Sequence, residues 1–156
     1  MTISPTVKVG ILLPRRPGDL GEWLADAAAF DAAGADALWI DVQAGVGLDV
    51  MALAAALAAT TSKAALIARM PEGTAAEAVS TLRRLSRGRY VPADEAGRWV
   101  RMPVPDSRAH WHRTLADVEA EGVSTGILVE ADSRLLDLLR NPGDPGERHD
   151  LELAQG

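Results

Sequence analysis

The sequence predicts a parallel α/β fold of about five or six strands with flanking helices. Three observations predict it. Short runs of apolar and β-branched residues recur along the chain, as in strands buried on both faces. Between them lie stretches of helical periodicity, each closed by glycine, proline or a polar cluster. Strand and helix alternate, which is how a parallel sheet is written in sequence. The chain has 156 residues, so one domain is expected, over residues 1–142, followed by a polar tail at 143–156. A complete eight-unit (β/α) barrel takes roughly 250 residues. Two architectures therefore compete: a shortened (β/α) barrel and a doubly wound sheet.

The elements follow in order. Val7–Leu13 is a continuous apolar run ending at Pro14 and reads as the first strand. After the loop PRRPGD, Asp19 caps a helix over Leu20–Ala33, with Leu20, Trp23, Leu24, Ala27 and Phe30 on its apolar stripe and Gly34 closing it. DALWIDV is a second strand, followed by the loop QAGVGLD. Asp49 caps a helix through Ala59 that is apolar nearly all round, so it is heavily covered or lies at an interface. Ala64–Met70 is a third strand. Thr74 is positioned to cap a helix carrying Ala75, Val79, Leu82 and Leu85. Tyr90-Val91 begins a strand that Pro92 stops, and an acidic, glycine-containing link follows. Trp99–Val104 is a further strand. Ser107–Glu121 is a helix with Trp111, Leu115 and Val118 inward and Gly122 at its end. Thr125–Val129 is the last strand, and Asp132 caps a short helix ended by Asn141-Pro142.

Composition narrows the function classes. A formal net charge of −6 counts against nucleic acid, which needs a basic surface. The arginines at 83, 84, 87 and 89 read as a helix C-terminus complementing its dipole. With no cysteine, disulfides, thiolate chemistry and Cys-based metal sites are excluded. No apolar run is long enough to span a bilayer, and MTISPTVKVGILLP lacks the features of a signal peptide, so a cytoplasmic protein with no membrane partner is expected.

Three motifs occur in order: Gly34-Ala35-Asp36-Ala37-Leu38-Trp39, then Asp49 through Leu57-Ala58-Ala59-Thr60, then Leu85-Ser86-Arg87-Gly88-Arg89. Over roughly residues 7–91 their order and spacing resemble the N-terminal half of the luciferase-like monooxygenases, the family of bacterial luciferase and of flavin- and deazaflavin(F420)-dependent oxidoreductases. The resemblance implies a TIM-barrel-like fold. It also implies reduced FMN or F420 at the C-terminal ends of the strands. In the family, the strand after the third motif is glycine-containing and lines the cofactor pocket. Here Tyr90-Val91-Pro92 and the acidic Ala93-Asp94-Glu95 stand there instead, and an acidic link repels a phosphate. Beside that family, the segment reads as a junction at which a barrel has been shortened.

Candidate site residues are few. Asp41 ends the second strand, where barrel enzymes place their chemistry, and it either contacts a cofactor or serves the following loop. Arg101 shares a strand face with Trp99. It either binds a phosphate or carboxylate or pairs with Asp41 or Glu130. Asp41 and Arg101 are thus the candidate cofactor-binding residues, and no catalytic residue is assigned. The Gly45-Val46-Gly47 turn lacks the third glycine of a dinucleotide fingerprint. Arg15-Arg16 lies in the first βα loop, solvated or touching an anion. His110 and His112, two apart on a helix, point to different faces and cannot share a metal. No metal site is expected.

Too few strands to close an eight-strand barrel leave open edges, so a homodimer through the Asp49–Ala59 helix is expected. Two functions remain open. One is a shortened flavin- or F420-dependent oxidoreductase of undefined substrate. The other is a non-catalytic dimeric binding or accessory protein that kept the fold and lost the cofactor site.

Overall fold

A computed structural model describes residues 7–14, 16–41, 47–122 and 126–141. The tail at 143–156, Arg15 and most of the loop at 43–47 lie outside the described residues.

Among the described residues, six strands and five α-helices follow one another, alternating except between β4 and β5: β1 (Val9–Leu12), α1 (Leu20–Ala33), β2 (Ala37–Ile40), α2 (Val50–Thr60), β3 (Ala65–Ala68), α3 (Ala76–Leu85), β4 (Tyr90–Pro92), β5 (Trp99–Met102), α4 (Arg108–Ala120), β6 (Gly126–Glu130) and α5 (Ser133–Arg140). The strands form one sheet in the order β4-β3-β2-β1-β6-β5, and every pairing is parallel. Chain order therefore runs one way around the sheet, from β5 to β6, across to β1, and on to β4. This is the order of a (β/α) barrel opened between β4 and β5.

Strand alternation shows where the helices lie. Val9, Ile11, Leu38, Leu66, Ile127 and Val129 point one way, into a single core cluster. That cluster includes Trp23 and Phe30 of α1, Leu57 of α2, Leu82 of α3, Trp111 of α4 and Leu135 of α5. All five helices thus cover the same face, as right-handed crossovers travelling in one direction require. A doubly wound sheet would carry helices on both faces, so the barrel-like alternative is the one realised.

Local signals hold in most places. Asp19, Asp49 and Ser107 accept hydrogen bonds from backbone N–H groups inside the first turns of α1, α2 and α4. Gly34 closes α1 with φ of 103°, a left-handed conformation that glycine adopts without a Cβ clash. Trp23, Ala27 and Phe30 are buried, whereas Leu20, expected on the same stripe, is exposed at the first turn. Asp132 caps α5 as expected.

Thr74 does not cap α3. Its hydroxyl donates to the carbonyl of Pro71, closing a turn through Gly73, and Ala75 takes the cap position without a side-chain bond. Pro92 ends the strand begun at Tyr90-Val91, and a 3-10 turn follows at Ala93–Glu95. Tyr90–Pro92 pairs with Leu66–Ala68 as an edge strand, where a missing N–H is tolerated. The alanine-rich α2 is covered by its own chain: it packs between α1 and α3, with Leu53, Ala54, Leu57 and Ala58 buried. No helix among the described residues is long and apolar enough to cross a membrane.

Candidate functional site

The face of the sheet turned away from the helices is built from Gly10 and Leu12 of β1, Ala37 and Trp39 of β2, Ile67 of β3, and the residues of β6 and β5 in register with them. In a barrel this face lines the lumen. Here Leu12, Ala37 and Ile67 are buried although no helix covers them. The chain itself takes up part of the space. Residues 93–98 connect β4 to β5 through a single 3-10 turn at Ala93–Glu95, with no intervening α-helix. They deliver Trp99 onto the inner face, where its indole Nε1 donates to the carbonyl of Ala96 at 2.9 Å. The ring lies edge-to-face with Trp39, centroids 6.0 Å apart at 77°.

Two glycines make room for it. A Cβ on Gly126 would stand 2.2 Å from the Trp99 ring, and one on Gly10 would stand 2.9 Å from it. Gly126 is the parallel-sheet partner of Trp99. Glycine inside a strand marks a close approach, and at these two positions the approaching group is one indole.

At the C-terminal ends of β1, β6 and β5 a cleft of about 460 Å³ opens, lined by Leu12, Leu13, Pro14, Arg16, Arg101, Glu130 and Ala131. Arg101 donates from Nη2 to Oε1 of Glu130 at 2.5 Å. The pair is exposed, at 54% and 64% of the side chains. Of the sequence alternatives for Arg101, pairing with Glu130 is the one formed. Arg16, from the first βα loop, adds a second positive charge to the rim. Asp41 directly follows β2, is half-buried, and is not among the cleft's lining residues. β1 and β6 lie between β2 and β5, so two strands stand between the strand that Asp41 follows and the strand that carries Arg101. Glu130 and Arg16 are the groups brought beside Arg101.

The cofactor that the resemblance implies needs a slot for a planar ring and donors for a phosphate. Arg16 and Arg101 are the cations at the rim, and Arg101 is already on Glu130. On the inner face Trp99 stands against Gly10, Gly126 and Trp39 at the N-terminal ends of β5 and β6, away from the cleft at the C-terminal ends. His110 lies beside the backbone N–H of Asp106 at 3.4 Å, and His112 is exposed. Among the described residues no group of three or more His, Asp or Glu side chains is placed to hold a metal.

A second polar constellation lies at the opposite end of the sheet. Asp31, buried in α1, accepts from the backbone N–H groups of Ser62, Lys63 and Ala64 at 2.8, 3.0 and 2.7 Å. Arg89 reaches the same turn from the other side, donating to the carbonyls of Ala58, Thr61 and Ala64 and to the Thr61 hydroxyl. Burial alone would raise the Asp31 pKa. The N–H donors of Ala64, Ser62 and Lys63 and the charge of Arg89 outweigh it and hold the carboxyl below its ordinary value. Burial lowers the Arg89 pKa, and Asp31 opposes that shift. Sequence reading missed this pair. The signal was present: Asp31 continues the stripe Trp23–Ala27 at helical spacing, so a charge stands where an apolar residue is due.

The three motifs that carry the family resemblance map largely onto this same end. Asp36 accepts from the N–H of Val9 at 2.8 Å, fixing where β1 and β2 start. Thr60 and Thr61 donate to the carbonyls of Ala56 and Leu57, finishing α2. Ser86, fully buried, donates to Arg83 and accepts from the N–H of Tyr90. In a barrel the N-terminal end of the strands serves stability and the C-terminal end serves chemistry. No protein-family model matches the chain, and no curated protein sequence matches it.

Proposed function

We propose that this chain is a shortened luciferase-like (β/α) protein that acts as a cytoplasmic, small-molecule-binding or accessory protein rather than as a flavin or F420 enzyme. One observation carries this reading: where the family continues with a glycine-containing strand that lines the cofactor pocket, this chain has the short edge strand Tyr90–Pro92 and a link with a single 3-10 turn that leads directly into β5. That link, residues 93–98, takes the place at which the family continues with further β/α units. What remains for a ligand is the charged cleft above β1, β6 and β5. Titration of the purified protein with FMN and with F420, followed by absorbance and by quenching of tryptophan fluorescence, tests the reading. Absence of saturable binding to either supports it; micromolar binding of either overturns it.

The second reading is a flavin- or F420-dependent oxidoreductase of the monooxygenase type. Its support is the ordered set of motifs over residues 7–91 and the presence of Arg101 and Asp41 at the functional end of the strands. It requires a cofactor to seat at the C-terminal ends of the strands, and the same titration decides it. In both readings the protein is a homodimer through the helix at Asp49–Ala59, whose remaining exposed face is small, with Ala52 and Ala59 outward. Light scattering at micromolar concentration should give twice the chain mass, and a monomer removes the dimer from both readings.

A further inference from the structure

We propose that the free edge of β5 pairs antiparallel with the same edge of a second copy of the chain, Val100 facing its equivalent across a two-fold axis. This contact is separate from the one through α2 and goes beyond the small-molecule reading.

The sheet has two edges, β4 and β5, and they differ in what they offer. In β5 the carbonyl of Arg98 accepts from the N–H of Gly126, so Arg98, Val100 and Met102 turn their backbone groups toward β6. Backbone direction alternates along a strand, so Trp99 and Arg101 turn their N–H and C=O groups outward. Among the described residues, no bond outside the β5–β6 ladder takes them up. The link at 93–98 does not pair with them. Ala96 meets the indole of Trp99 on the inner face, and the link's backbone bonds run within its 3-10 turn and to Gly126. The β4 edge is blunted. There the carbonyl of Arg89 accepts from Leu66, so Tyr90 and Pro92 face outward. The Ser86 hydroxyl takes the N–H of Tyr90, and Pro92 has none. β4 therefore presents acceptors alone, whereas β5 presents donors and acceptors in alternation.

A second β5 is the occupant that matches. Laid antiparallel with Trp99 opposite the partner's Arg101, the two edges use every outward donor and acceptor of Trp99 and Arg101. The neighbouring registers set Trp99 against Trp99 or Arg101 against Arg101. They use fewer of these groups, and the second opposes two guanidinium charges. In the favoured register Val100, half-buried on the helix-covered face, meets its equivalent in a non-hydrogen-bonded pair, where Cα atoms lie about 4.5 Å apart and side chains touch. Pro103, without an N–H, falls opposite Gly97, and the pairing stops there.

The chain has no cysteine, so single cysteines read the contact directly. With the full chain in oxidised glutathione, V100C should form a disulfide-linked dimer at least tenfold faster than H112C, exposed on α4, or R101C. In this register the two copies of residue 101 are offset by two residues, beyond disulfide reach. V100C no faster than H112C, or R101C faster than V100C, would overturn the inference. R101P removes an outward N–H and leaves the β5–β6 ladder whole. It should keep a melting temperature near the parent's and slow V100C crosslinking at least tenfold; unchanged crosslinking would overturn the pairing. Should that variant not fold, the comparison of V100C with the two control cysteines decides alone. A52C, on the exposed side of α2, reports the other contact. Crosslinking of A52C without V100C overturns the edge pairing and leaves the α2 dimer; V100C without A52C does the reverse.

Discussion

Arg89 and Asp31 grip the same turn of chain, residues 61–64, from opposite sides. The carboxylate takes its N–H groups and the guanidinium takes its carbonyls. Removing either partner leaves buried backbone groups unpaired and an unbalanced charge. Asp31→Ala should cost about 3 kcal/mol, in the range for breaking a buried charged pair. Urea denaturation should show a lower midpoint with an unchanged slope. A loss below about 1 kcal/mol would mean that the turn holds itself.

The same carboxylate makes stability depend on pH. Its folded pKa lies below the unfolded one, so protons bind more readily to the unfolded chain. Its contribution is fully present above the ordinary carboxylate value of roughly 4 and is lost as pH falls through the lowered folded value. Asp31→Asn should therefore lower stability at neutral pH and flatten this part of the acid limb. Denaturation curves collected from pH 7 down to pH 2.5 on both proteins test the sign. A mutant whose acid limb is as steep as the parent's would remove Asp31 as its cause.

Gly126→Ala places a methyl group 2.2 Å from the Trp99 ring, closer than real contacts allow. Either the indole or the strand must move, at a cost of at least about 1–3 kcal/mol. Gly10→Ala, with its nearest approach at 2.9 Å, should cost less. Trp99→Ala made together with Gly126→Ala should recover most of what the glycine change alone loses, a coupling that a double-mutant cycle reads directly. Additive effects would show that Trp99 and Gly126 do not share the space.

The Arg101–Glu130 pair should matter little to folding. Both side chains are more than half exposed, and such pairs contribute about 0–1 kcal/mol, less in salt. R101Q and E130Q should each stay within about 0.5 kcal/mol of the parent at 0.15 M salt. A larger loss would make the pair a structural clamp.

The succession of elements could be read from sequence because each strand is a short apolar run and each helix has a chemical stop. Asp19, Gly34, Asp49 and Asp132 mark ends that the structure reproduces. Thr74 misled because a threonine three residues after a proline can close a turn as readily as cap a helix, and local sequence does not rank the two. The pairing of Arg101 could be narrowed to two acidic residues from strand alternation, but choosing Glu130 required knowing that β6 and not β2 is its neighbour. Trp99 was visible as sharing a strand face with Arg101. Its occupation of the inner face was not, because the clue is split between Gly10 and Gly126, at opposite ends of the chain. Asp31 was hidden by its own spacing: a charge on an apolar stripe gains meaning only once the turn that it binds is known.

The place of β1 has a consequence for the order in which the molecule can assemble. β1 is the first of the described strands, yet it stands inside the sheet, between β2 and β6. β2, β3 and β4 can join it as they emerge from the ribosome, each next to the one before. Its other edge stays bare until β6, the last strand, arrives. Until β6 is made, the nascent chain therefore presents an apolar, unpaired strand edge, the kind of surface that chaperones shield and that aggregates recruit. Closing that edge is a long-range step, and it should set the pace of folding.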